Sequence, residues 1–165
     1  MKRSLWKAML VAAVGSSVLS GTAWAGCSNA TLQGQYAFGV TGYTPPGVVA
    51  GIKIFDGKGN FTQRDYQGDG LRATPPETDF SPQGQETGTY TVNSNCTGNM
   101  VIYLNVPDVP SGLSTGVIKI MFVISDGGRH IHEVVSEFTP PFSTGPVPTQ
   151  TSADDWKVAS EEDEQ

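Results

Sequence analysis

The residues whose side chains best suit catalysis or metal binding lie close together near the end of the periodic part of the chain. His130 and His132 are the only histidines, and Glu133 and Glu137 follow them. If residues 130–138 form a strand, the two imidazoles point to one face and the two carboxylates to the other. Imidazoles bind metals and transfer protons near neutral pH. A carboxylate in an apolar interior has a raised pKa and suits general acid or base catalysis.

A metal site on the two histidines needs at least one further ligand. Glu133 and Glu137 point away from the imidazoles, and the sequence shows no third ligand on a neighbouring strand. Two cysteines without an adjacent histidine also lack the pattern of a zinc site. We therefore predict no metal ion and no other cofactor.

Two orientations of this strand stay open, and each places an ionisable group inside. The first buries the face of Ile131, Glu133, Val135 and Glu137. The second buries the face of His130, His132, Val134 and Phe138. We expect the first, with the glutamates near a barrel mouth or paired with Arg64, because an unpartnered buried carboxylate costs several kcal/mol or becomes neutral.

Catalysis is the less favoured interpretation. Glu133, Glu137, His132 and Arg64 are the weak candidates for catalytic residues. Arg64 shares its strand face with Tyr66, and an arginine beside a tyrosine in a barrel lumen can bind a carboxylate, although a surface arginine is the commoner case. The chain has no nucleophile elbow, phosphate-binding loop or zinc-protease motif.

Short strands must position these residues. Of 165 residues, 20 are glycine and 11 proline, and only 16% are charged, against roughly 25% in an average domain. Period-two alternation predicts seven strands, at 32–41, 48–55, 61–67, 87–92, 99–106, 117–124 and 129–138. Because exposed sheet edges promote aggregation, a sheet of this size usually closes or splits into a sandwich. We predict an all-β fold, a single antiparallel up-and-down barrel, with a possible eighth strand within 68–84.

The two ends of the chain differ from this barrel domain, which we place at 26–138. Residues 1–25 combine Lys2, Arg3 and Lys7, a short apolar stretch and the pattern Ala-Trp-Ala, which together predict a bacterial signal peptide and a periplasmic or secreted protein. Residues 139–165 are rich in proline and acidic residues and lack periodicity. This composition predicts a disordered tail.

Charge and cysteine content limit the partners. Without residues 1–25, which hold three of the 10 basic residues and none of the 16 acidic ones, the net charge falls from −6 to −9. So acidic a chain is a poor candidate for binding nucleic acid. No later segment is apolar enough to span a membrane as a helix.

In an oxidising compartment, Cys27 and Cys96 are expected to form one disulfide.

Four segments also carry a family resemblance: CSNATLQGQYAF at 27–38, FDGKGN at 55–60, GTYTVNSNCTG at 88–98 and FVISDGG at 122–128. Together they resemble an uncharacterised family of small secreted bacterial proteins. The resemblance implies a barrel similar in plan to lipocalins and allene oxide cyclase, and it supports the disulfide. It implies no catalytic residue.

These observations favour an exported barrel that binds a small apolar or amphipathic molecule. The expected lining residues are Tyr36, Phe38, Arg64, Tyr90 and Phe122. Small residues at Gly34, Ala50 and Gly88 are expected to leave room inside. Two alternatives remain, namely a barrel isomerase or cyclase that uses a lumen carboxylate or histidine, and a structural or partner-binding exoprotein with a filled core.

Overall fold

A computed structural model of the chain describes residues 26–42, 47–68 and 85–158, without the side chains of 47, 48, 67 and 68. The predicted signal peptide and nearly all of the segment 68–84 lie outside the described residues. Within the described part, no helix is long and apolar enough to cross a membrane.

Eight antiparallel strands form one closed barrel, in which each strand pairs with its sequence neighbours and the last strand pairs with the first. The strands are β1 (Gln33–Gly42), β2 (Gly47–Asp56), β3 (Asn60–Gly68), β4 (Glu86–Val92), β5 (Thr97–Tyr103), β6 (Val117–Ser125), β7 (His130–Thr139) and β8 (Thr151–Lys157). Two short 3-10 turns, Asn29–Thr31 and Asp126–Gly128, complete the regular structure. The predicted all-β up-and-down barrel is confirmed.

The eighth strand comes from the segment predicted to be disordered. β8 completes the ring between β7 and β1, so the prediction of a disordered tail is wrong for Thr151–Lys157. The inward positions of β8 are Ala153 and Asp155, both buried. A small residue and a carboxylate give no apolar alternation, which is why the strand escaped detection. Residues 159–165 lie outside the described part.

One end of the barrel, here called the lower end, is closed by the first described residues. Cys27 forms the predicted disulfide with Cys96, in the turn between β4 and β5. Leu32 is fully buried, and the Tyr90 hydroxyl donates to the carbonyl of Leu32 at 2.9 Å. The backbone N–H of Val92 donates to the side chain of Asn29 at 2.8 Å. The N-terminal segment is therefore fixed to the sheet by covalent and hydrogen bonds.

Aromatic rings fill the lower half of the lumen. The ring of Phe55 packs against Tyr36, Phe61 and Tyr90 with centroid distances of 5.1–5.3 Å, within the range of favourable aromatic pairs. The ring of Phe61 also lies directly against Gly88, so that glycine leaves no room for a ligand. Ala50, expected inside, is exposed. The lower lumen is thus a packed core.

Candidate functional site

A buried triad of charged residues lies in the lumen above the aromatic core. The ammonium Nζ of Lys53 is 2.6 Å from Glu133 Oε1 and 2.9 Å from Asp155 Oδ2. The three residues are 1%, 3% and 0% exposed. They come from β2, β7 and β8, and Asp155 lies opposite Ile131 in the register of β7 and β8. The triad therefore links the neighbouring strands β7 and β8 to β2, which lies on the far side of β1.

Burial and mutual charge set the protonation of the triad. Burial raises the pKa of Glu133 to about 8, opposed by the charge of Lys53. Burial alone would lower the pKa of Lys53, but the charges of Asp155 and Glu133 raise it above its usual value. The ammonium also lies 4.7 Å from the centroid of the Phe38 ring. A lysine with these partners stays cationic.

A second polar group lies at the opposite, upper end, where β4 begins. Gln63 is 3% exposed, and its Nε2 donates to Glu86 Oε2 at 2.6 Å. Burial, together with the charge of Asp65, raises the pKa of Glu86 to about 7. Among the described residues, the Oε1 atom of Gln63 is the only buried side-chain nitrogen or oxygen without a hydrogen-bond partner.

A third cluster occupies the outer face of β7 and β8. Asp154 Oδ1 is 3.0 Å from His130 Nε2 and 2.8 Å from His132 Nδ1. The indole of Trp156 stacks on the imidazole of His130, with ring centroids 3.5 Å apart and planes 17° apart. The side chains of His132 and Asp154 are 54% and 57% exposed, so this cluster is open to solvent.

The four catalytic candidates do not converge. Glu133 lies in the triad, whereas His132 is on the outer face. Arg64 is exposed, which is the commoner of the two cases considered, so it does not line the lumen and does not pair with Glu133. Glu137 forms a partly exposed ion pair with Lys119 at 2.8 Å. The structure therefore brings none of these four side chains into contact with another.

A register shift explains why the two glutamates separate. Lys119 pairs with Glu137 but the next residue, Ile120, pairs with Val135, so Ser136 is an extra residue in β7. Such a bulge reverses the alternation beyond it. Glu133 consequently points inward and Glu137 outward, although their spacing in the sequence predicts one shared face.

The expected ligand-lining aromatics belong to the packed interior. Tyr36, Phe38, Tyr90 and Phe122 are all buried. The hydroxyl of Tyr36 donates to the carbonyl of Gly128, and that of Tyr90 donates to the carbonyls of Asn29 and Leu32. These hydroxyls are used to close the lower end. A ligand-binding role for the four residues stays a prediction.

Sequence reasoning missed Lys53, Asp155 and the Gln63–Glu86 pair. Lys53 lies between Ile52 and Ile54 in β2, and the apolar pair is 43% and 42% exposed whereas the lysine is buried. The alternation in this strand is therefore inverted relative to a soluble barrel. The one available signal was a lysine flanked by isoleucines, which also fits a surface position.

Comparison with models of known protein families finds no match, and comparison with curated proteins finds no significantly similar sequence. The fold agrees with a lipocalin-like barrel, but the family resemblance of the four segments has no support beyond the architecture. The geometry of the three clusters is therefore the basis for assigning a role.

Proposed function

We propose that the protein is an exported barrel that binds a small amphipathic molecule in the upper lumen, through a hydroxyl or amine that donates a hydrogen bond to Gln63. The observation that carries this proposal is the unpartnered amide oxygen of Gln63. The N-terminal sequence pattern and the Cys27–Cys96 disulfide support export.

A buried acceptor without a donor is costly. Leaving it unpaired costs about 1–3 kcal/mol, and native proteins rarely keep such groups without a reason. The amide nitrogen of the same side chain, Gln63 Nε2, already donates to Glu86 Oε2 at 2.6 Å. The oxygen is thus fixed in position, and a donor group on a ligand would satisfy it.

The surroundings of Gln63 define the rest of the ligand. Glu86, whose pKa is about 7, and Asp65 make this end acidic, which favours a hydroxyl or an amine over an anionic head group. Ile102 and Ile120 are buried in the same lumen, and Leu104, Ile118 and Val135 pack against the core. An apolar body with a donor group matches this combination.

A fluorescent probe tests the proposal directly. N-phenyl-1-naphthylamine has an apolar aromatic body and one N–H donor, and its emission rises in apolar surroundings. We expect saturable binding by the wild-type chain and about tenfold weaker binding by Gln63→Leu, the equivalent of ~1.4 kcal/mol. Gln35→Leu is the matched control, because Gln35 is exposed on β1 and its replacement should leave the affinity unchanged.

Two results would overturn the proposal. One is the absence of saturable binding to the wild-type chain. The other is an equal affinity of the probe for wild type and Gln63→Leu, which would show that the Gln63 amide does not bind the ligand. Native mass spectrometry of the protein from its own host adds an independent measurement, since a retained molecule appears as a mass excess that organic extraction removes.

A further inference from the structure

We propose that His130, His132 and Asp154 form a binding site for one divalent transition-metal ion, with Zn²⁺ as its representative, on the outer face of the barrel. The three side chains offer two imidazole nitrogens and one carboxylate oxygen, and all three atoms lie within 4.8 Å of one another. The sequence supplied the two histidines but hid the third ligand, because Asp154 belongs to the unpredicted β8.

Strand register brings the ligands together. His130 and His132 project from one face of β7, and Asp154 lies directly opposite His132 on β8. The carboxylate oxygen is 2.8 and 3.0 Å from the two imidazole nitrogens. Tetrahedral zinc with bonds of about 2.0–2.1 Å holds its ligand atoms roughly 3.3 Å apart. The two carboxylate–imidazole distances are thus a few tenths of an ångström shorter than a zinc ion requires, so these atoms have to move apart slightly to admit it.

Neighbouring residues hold both imidazoles in place. Trp156 stacks on His130 and fixes the plane of that ring. The other ring nitrogen of His132, Nε2, lies 3.4 Å from the hydroxyl of Ser125. Metal-binding histidines are commonly oriented by such contacts to the nitrogen that does not bind the ion. The ligand set is thus arranged before any ion arrives.

The donor set selects the class of ion. Imidazole and carboxylate together suit zinc and the neighbouring metals copper, nickel and cobalt rather than calcium or magnesium. Three protein ligands leave a fourth tetrahedral position for water or an external ligand. Because His132 and Asp154 are more than half exposed, the ion can enter from solvent without opening the barrel.

The site is independent of the proposed lumen ligand. Asp154 and His132 lie outside the sheet, whereas Gln63 and Glu86 lie inside it on β3 and β4. Failure of one proposal therefore leaves the other standing. The metal site also has its own reporter, because Trp156 is the only tryptophan in residues 26–165 and contacts one of the ligands.

Zinc alone is the probe for the test. The chain from residue 26, without a histidine tag and freed of metal, is titrated with Zn²⁺ by calorimetry, and the emission of Trp156 is followed in parallel. We expect one ion per chain with a dissociation constant in the micromolar range or below, and a saturable change in emission. His132→Asn and Asp154→Asn should each weaken binding at least tenfold.

Glu137→Gln serves as the control, since Glu137 is an outer-face carboxylate that pairs with Lys119 away from the cluster. It should keep the wild-type affinity. The proposal is overturned if the wild-type chain binds no zinc, or if both ligand variants bind it as tightly as the wild type. Both substituted side chains are largely exposed, so circular dichroism of the variants should match the parent.

Discussion

Two ionisable clusters occupy opposite faces of the same pair of strands, and one residue step separates them. Glu133 and Asp155 point into the lumen, where they share the ammonium of Lys53. His132 and Asp154, each the preceding residue in the chain, point outward and share a carboxylate–imidazole contact. Since side chains alternate along a strand, the register of β7 and β8 determines both clusters at once.

The comparison shows how burial decides what a charged contact does. Asp155 is fully buried, so its charge has to be balanced by Lys53. Asp154 is largely in water, so its contacts with histidine contribute little to folding but remain available to a ligand. Breaking a buried pair by removing one partner typically costs 3–5 kcal/mol, whereas exposed pairs contribute about 0–1 kcal/mol.

The largest effect should follow from removing both clusters together. A chain that ends at Gln150 lacks β8, which pairs along seven positions with β1 and five with β7. It also leaves Lys53 without Asp155. We expect no cooperative thermal transition in differential scanning calorimetry. A truncation at Val158 is the control and should melt like the full chain. A cooperative transition for the shorter chain would contradict the role of β8.

Substitution of Lys53 should have the next largest effect. Lys53→Met fits the space but leaves Glu133 and Asp155 buried together without a cation. The free energy of unfolding, from urea denaturation at pH 7, should fall by about 3–5 kcal/mol. Glu133→Gln keeps the shape and leaves one ammonium facing one carboxylate, so it should cost about 1 kcal/mol or less. Equal losses in the two variants would show that the charges are not balanced within the triad.

Glu86 is intermediate between the two clusters because it is partly buried. Its pKa of about 7 lies above the ordinary value of 4.5, so the folded chain keeps a proton that the unfolded chain has released. The free energy of unfolding should therefore fall as pH rises from about 4.5 to 7 and level off above 7. Over this pH range the free energy of unfolding of Glu86→Gln should fall by about 1–2 kcal/mol less than that of the wild type, after allowance for partial exposure.

The measurement is a set of urea denaturations between pH 4 and 8 on both chains. The difference between them isolates Glu86 from the other titrating groups. Glu137→Gln, which removes a partly exposed carboxylate from the ion pair with Lys119, is the control variant. A wild-type and a Glu86→Gln curve that run parallel over the whole range would contradict the raised pKa.

The smallest effect should come from the outer cluster without metal. Asp154→Asn removes the charge beside the two histidines, but the site is exposed and the amide oxygen still accepts a hydrogen bond. In metal-free buffer at pH 7, urea denaturation of this variant should show a free energy of unfolding lower by less than about 0.5 kcal/mol than that of the wild type. A loss above 2 kcal/mol would mean that the outer contacts hold β8 in place. It would contradict the conclusion that only the buried cluster contributes strongly to folding.

Seven of the eight strands were predictable because alternation and turn residues are strong local signals. Which face turns inward was not. In β2 the isoleucines lie outside and Lys53 inside, because a partner 80 residues away, Glu133, compensates the buried charge. In β7 the extra residue Ser136 reverses the faces partway. The inward orientation expected for Glu133 agrees with the structure, whereas that of Glu137 does not.

The candidate sites were harder to predict than the fold because each depends on contacts between distant strands. Lys53, Glu133 and Asp155 meet only when β2, β7 and β8 close the ring. The third member of the outer cluster, Asp154, comes from a segment whose composition indicates disorder. The disulfide was predictable, since two cysteines allow a single intramolecular pairing and the predicted export signal implies an oxidising compartment.

The pairing of the first strand with the last has a consequence for how the chain is made. Ala37 pairs with Trp156, so the two residues meet only after the chain has been synthesised through β8. Until then β1 and β7 each present an unpaired edge, which can recruit strands from other chains. Any chain released early by the ribosome, or clipped in the segment before Thr151, keeps those edges. The residues of β8 therefore distinguish a closed ring from a sheet with two unpaired edges.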